Sequence, residues 1–211
     1  LNLDESQLLL MSSTWSVSIA LSWLMCLAVP LAEFCGDADL YKFAFKNMEF
    51  VLGIRADLLE LNGLLHKAYN FGSYREQIQI EKHLGIQQVS ISYCQLEFCD
   101  MERCFNQIRA GLQTYSGYLS HIHQILTDYA DHVHFIQQDI SSLYHNIQQQ
   151  MEESLLTIVE YPPAESEPTF VGVHRKIGSY LVLDKLQLFM KGIFRALSHC
   201  TKQRESMENS H

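Results

Sequence analysis

Residues 100–160 hold two apolar-striped segments set back to back, and nothing else in this 211-residue chain restricts its fold as strongly. In the first, Met101, Cys104, Phe105, Ile108, Leu112, Tyr115, Leu119, Ile122 and Leu126 recur every three or four residues, the period that lines up one face of a helix. In the second, Val133, Ile136, Ile140, Leu143, Ile147, Met151 and Leu155 repeat the pattern. Only the polar cluster around Thr127, Asp128 and Asp131 separates them. The spacing predicts helices over 100–126 and 129–158, each of roughly 25 residues and about 37 Å. That exceeds the average globular helix and is typical of a helical bundle. Because the link is short, the two must be antiparallel neighbours.

Two further helices cover the open sides of this pair. One is expected over 37–66, capped by Asp37 or Asp39, with Leu40, Ala44, Met48, Val51, Ile54, Leu58, Leu61 and Leu65 as its core stripe. Its opposite face carries Lys46, Glu49, Phe50, Gly53, Asp57 and Glu60. A phenylalanine among charges reads either as a contact surface or as an ordinary exposed apolar residue. The other helix is expected over 170–201, on Val173, Ile177, Tyr180, Leu183, Leu186, Met190, Ile193 and Leu197, widened by Leu181, Leu188, Phe189 and Phe194. It should be the most buried of the four, and the polar tail after Lys202 should be unstructured. Between the first and second helices, Asn70 to Tyr93 loses the period and reads as a long crossover with one short helix from Tyr74 to Leu84. Tyr161-Pro162-Pro163, Glu165, Glu167 and Pro168 cannot continue a helix and form a second crossover. Long, short, long connections give an all-α, long-chain four-helix bundle with up-up-down-down connectivity.

Composition bounds the class. With 47% hydrophobic and 18% charged residues, the chain has material for one well-buried core. A formal net charge of -9 argues against nucleic acid or an anionic membrane surface, which would repel it. A protein partner fits better. The almost uncharged run from Leu8 to Ala32 looks like a secretory signal with a cleavage site at Ala28, so residues 1–28 are expected to be removed and 29–211 to form the mature, secreted domain, without membrane insertion. The missing basic n-region is attributed to truncation, since the chain starts at Leu1. A transmembrane anchor competes with this reading, but the interspersed serines and the lack of a cationic flank disfavour it.

The mature chain keeps Cys35, Cys94, Cys99, Cys104 and Cys200. Cys99 and Cys104 on one helix would be about 7.5 Å apart along the axis and on different faces, too far for a disulfide. Cys94 lies before the helix and can fold back onto Cys104. The odd count leaves a free thiol or a bond between chains. No zinc spacing appears, and His121/His123 and His132/His134 are each two apart, on opposite sides of a helix. Glu152-Glu153 and Glu165/Glu167 lack a partner that would separate their pKa values. No nucleophile elbow, phosphate loop or zinc-protease motif is present. No catalytic residue, metal or cofactor is therefore expected, and an enzyme is not.

Several motifs together resemble the granulocyte colony-stimulating factor family, in the interleukin-6 group of long-chain cytokines. They are His83-Leu84-Gly85-Ile86, the cysteines Cys94 and Cys104, Gly111-Leu112 with Tyr115, Gln149-Gln150-Met151-Glu152-Glu153 and Leu186-Gln187-Leu188-Phe189. The resemblance implies a secreted haematopoietic ligand that brings together two copies of a single-pass class I cytokine receptor and drives granulocyte-lineage growth. It further implies that Lys46 and Glu49 of the first helix and Asp139 of the third meet the receptor's cytokine-binding module. Glu76 falls where the family has an acid that meets the receptor's immunoglobulin-like domain. The chain departs from the family at Leu52 and Gly53, where basic residues are expected, at Phe50, a polar position, and at Val173, an aromatic one. His66 and Gly72 stand where the family has a crossover disulfide. Two other readings are another interleukin-6-type cytokine and a secreted helical carrier without a receptor.

Overall fold

The computed structural model describes residues 40–84, 86, 88–95, 100–160 and 174–208. The proposed signal, the caps Asp37 and Asp39, Cys35, Cys99, Val173 and the proline-rich crossover lie outside these residues. The chain divides into two compact units, Leu1–Lys42 and Phe43–His211. Of the first, only residues 40–42 are described, and they are helical. The second holds the bundle.

The described helices are α1 (residues 40–69), α2 (Tyr74–Leu84), α3 (Met101–Ile125), α4 (Ala130–Glu153) and α5 (Arg175–Glu208), with short 3₁₀ turns at Ser92–Gln95 and Thr127–Tyr129. Side-chain pairs fix the directions. Arg109 reaches Tyr144 and Gln148 while Gln137 reaches Ser116, so α3 and α4 are antiparallel. Asn62 meets Gln187 and His66 meets Tyr180, so α1 and α5 are antiparallel. Asn47 meets Asn146 whereas Asp57 acts on Asp139, so α1 and α4 are antiparallel too. Hence α1 and α3 run one way and α4 and α5 the other, the connectivity that the link lengths predict.

The stripes form the core. Val51, Ile54, Leu58, Leu61 and Leu65 of α1 are wholly buried, as are Ile108, Leu119 and Ile122 of α3, Val133, Ile140, Leu143, Ile147 and Met151 of α4, and Leu183, Leu186, Met190 and Ile193 of α5. Gly111 lets α3 approach α5, because a Cβ there would overlap the Phe189 ring. Cys94 and Cys104 are joined by a disulfide with Cα atoms 4.7 Å apart. Gln107 holds the same junction by accepting from the Tyr93 amide at 2.9 Å and donating to Ser92 Oγ. Cys200 is also disulfide-bonded.

Some expectations shift. Leu155 is not part of the α4 stripe: it is 94% exposed, because α4 stops at Glu153 and Leu155 turns left-handed at φ 54°. Its amide donates to Glu152 O and that of Leu156 to Met151 O, which terminates the helix in a Schellman motif. Met48 is only half-buried, and Asn47 takes the core position beside it. In α5, Leu188 is exposed whereas Val182 is buried. Residues 203–208 of the tail are not irregular, since α5 continues to Glu208. Lys202, Gln203, Arg204, Glu205, Met207 and Glu208 are good helix formers with no glycine or proline among them.

Past α4 the chain runs extended against α3, bonded by three side chains one turn apart. Glu102 accepts from the Thr157 amide at 2.9 Å. Asn106 donates to Thr157 O at 2.8 Å and accepts from the Val159 amide at 2.9 Å. Arg109, 2% exposed, donates to Val159 O, bonds Tyr144 Oη at 2.7 Å and pairs with Glu160 at 3.5 Å. At the other end, Phe71 stacks between Tyr69 and Tyr180, with ring centroids 5.7 and 4.9 Å away, and Lys176 lies 4.1 Å over Tyr69. Asn70 and Gly72 adopt positive φ to make this turn.

Candidate functional site on the α1/α4 face

The core register of α1 leaves Lys46, Glu49, Gly53, Asp57 and Glu60 outward, and all five are exposed. Phe50, on the same side, is half-buried. On α4, Asp139 sits between the buried Ile136 and Ile140 and is itself half-buried. A pair of asparagines registers the two helices. Asn47, 1% exposed, donates to Phe43 O at 2.8 Å and accepts from Asn146 at 3.1 Å. This buried amide is satisfied within α1 and by α4, as a polar group in a core must be.

That register decides which acids meet. Asp57, not Glu49, lies beside Asp139: partial burial first, then the Asp57 charge, raises the Asp139 pKa above the ordinary aspartate value. Glu49 is eight residues back along α1, about 12 Å by helix rise. The face is therefore an acidic strip with a crowded carboxylate pair at one end and Lys46 and Glu49 at the other. It can bind a cationic surface.

Glu76 lies apart from this strip, in the first turn of α2. Its carboxylate accepts from the Ser73 amide at 2.7 Å and from Ser73 Oγ at 3.1 Å, a capping box, and these bonds hold its pKa below the ordinary value. α2 is tied to α5 by Lys185 and Glu81, 2.7 Å apart. Asn47, Asn146 and the role of Asp57 escaped the sequence reading. An asparagine in register with Ala44 and Val51 was the available signal, since a polar residue on a core stripe implies a partner.

Among the described residues no group of three or more His, Cys, Asp or Glu could hold a metal ion, although His123 and His134 bring their rings within 6.3 Å across α3 and α4. No described helix is long and apolar enough to cross a membrane. A groove of about 250 Å³ between α3 and α4, lined by Leu112, Ser116, Ile140, Ser141, Tyr144 and His145 among others, opens to solvent.

A family model described as granulocyte colony-stimulating factor matches residues 51–198. The chain is 32% identical over 183 residues to the myelomonocytic growth factor of Gallus gallus, covering 85% of this chain and 91% of that protein. It is 29% identical over 186 residues to the granulocyte colony-stimulating factor of Sus scrofa, covering 88% and 93%. Against that of Felis catus it is 30% identical over 181 residues, covering 85% and 92%. With this match spanning most of a four-helix bundle of the expected connectivity, the chain belongs to the granulocyte colony-stimulating factor family and is a divergent haematopoietic growth factor rather than an enzyme.

Proposed function

We propose that this protein is secreted and signals by bringing together two copies of a single-pass class I cytokine receptor of the granulocyte colony-stimulating factor type, and that the α1/α4 face is its principal contact. The observation that supports this is the acidic strip of Glu49, Asp57 and Asp139, whose crowded carboxylates a cationic surface would relieve. Lys46 and Phe50 border the strip and complete the contact. Glu76 contributes to a second receptor contact through the surface of α2, and Val173 is a further contact residue; because Glu76 also caps α2, its substitution would loosen the helix as well as remove a charge.

The test is binding to the receptor ectodomain of the same species. Glu49→Lys should weaken binding by about 2–5 kcal/mol if the acid is desolvated at the interface, and leave thermal stability within about 0.5 kcal/mol, as for other surface changes. A Glu49→Lys protein that folds and binds normally would remove this face from the receptor site. Growth of granulocyte colonies, and of no other lineage, from progenitors given the mature protein is the cellular counterpart. It would also separate this reading from that of another interleukin-6-type cytokine.

A further inference from the structure

Helix α1 carries a second apolar stripe besides the one it buries. Phe45, Met48, Leu52, Ala56, Leu59 and Gly63 follow one another at intervals of three, four, four, three and four residues, which keeps them on one flank of the helix. Phe45 is 51%, Leu52 45% and Leu59 62% exposed. Met48 is half-buried, Ala56 and Gly63 are exposed, and the space above Gly63 is open. From Phe45 to Gly63 the stripe runs about 27 Å. Scattered exposed leucines need no explanation, but an unbroken stripe of this length on a solvent flank points to a binding surface.

The stripe lies directly beside the acidic strip. Glu49 and Asp57 project from the turns that carry Leu52 and Ala56, and Asp139 adjoins Asp57. This neighbourhood selects the occupant. A second copy docked on the stripe would bring two sets of these carboxylates together in a chain whose formal net charge is already -9, and like charges at an interface are strongly unfavourable. A partner that presents an apolar ridge edged by arginine or lysine satisfies both features at once.

We propose that the Phe45–Leu52–Leu59 stripe is the apolar half of the receptor contact, covered on binding by an apolar ridge of the receptor's cytokine-binding module, with the acidic strip meeting the basic edge of that ridge. This rests on the receptor reading given above. The large side chains Phe45, Leu52 and Leu59 act as anchors, and the acids set orientation and encounter rate.

The experiment compares wild type, Glu49→Lys and the double variant Leu52→Ser/Leu59→Ser for binding to the immobilised receptor ectodomain, at low and high salt, with far-UV circular dichroism and sedimentation on each protein. The double variant should keep its helicity and remain monomeric. It should lose at least tenfold in affinity, chiefly through faster dissociation, and the loss should persist at high salt. The Glu49→Lys loss should shrink at high salt. Wild-type affinity in the double variant alongside a weakened Glu49→Lys would overturn the stripe proposal and leave the receptor reading standing. Wild-type affinity in both would overturn both. A wild-type dimer that the double variant dissociates would make a second copy the occupant instead. If the double variant loses helicity, the stripe is structural and the proposal is wrong, unless the single variants Leu52→Gln and Leu59→Gln, folded, each retain the salt-insensitive loss.

Discussion

Asp139 carries a cost to folding that its surroundings explain. Its raised pKa means that the folded state holds the proton more tightly than the unfolded chain does. The resulting stability is fully present below the unfolded aspartate value and is lost as pH rises through the folded one. At neutral pH the ionised Asp57/Asp139 pair is therefore a liability. Asp139→Asn should raise the melting temperature at pH 7 and give no gain near pH 3; an equal gain at both would show that charge is not the cause. Receptor affinity should fall as stability rises, the usual trade at a functional site. Leu155 is a different case of local cost. A left-handed leucine that is 94% exposed has no packing to lose, so Leu155→Gly should stabilise by about 0.5–1 kcal/mol in urea unfolding.

Among the elements, α3 holds the chain that leaves α4, through residues that its apolar stripe does not include. Glu102, Asn106 and Arg109 hold the backbone of residues 157–160 against the helix, so α3 sets where the second crossover begins. Arg109→Ala should cost about 2–4 kcal/mol through lost packing of a buried side chain. Arg109→Met, which fills the space without the bonds, should cost less, yet still speed hydrogen exchange at Val159. Slow exchange at Val159 in both variants would mean that Glu102 and Asn106 hold this segment without Arg109. None of this was legible from the stripes. Periodicity reports where apolar side chains recur, and it placed α1, α3, α4 and α5 because those helices bury one face. It is silent on a buried arginine, whose type normally signals solvent. The Asp57/Asp139 pairing was hidden for another reason. The axial offset between two helices far apart in sequence is set by packing, here by Asn47 and Asn146, and not by either sequence alone.

On the scale of the whole molecule, the two ends of the first crossover are secured by different means. At its far end the Cys94–Cys104 bond closes a ten-residue loop, so replacing both cysteines with serine should cost about 2–3 kcal/mol in urea unfolding while α3 and α4 stay helical. At its near end no covalent bond is made where the resemblance would place cysteines, at His66 and Gly72. Tyr69 and Phe71 depend instead on Tyr180 and Lys176 of α5. A cysteine bridge six residues long could close while the chain was still being synthesised, given only an oxidant. The aromatic tie needs no oxidant, but its partner residues emerge more than a hundred positions later. The exit of α1 must therefore stay unsecured through most of synthesis, and the nascent chain commits to this end of the bundle only when its last helix arrives.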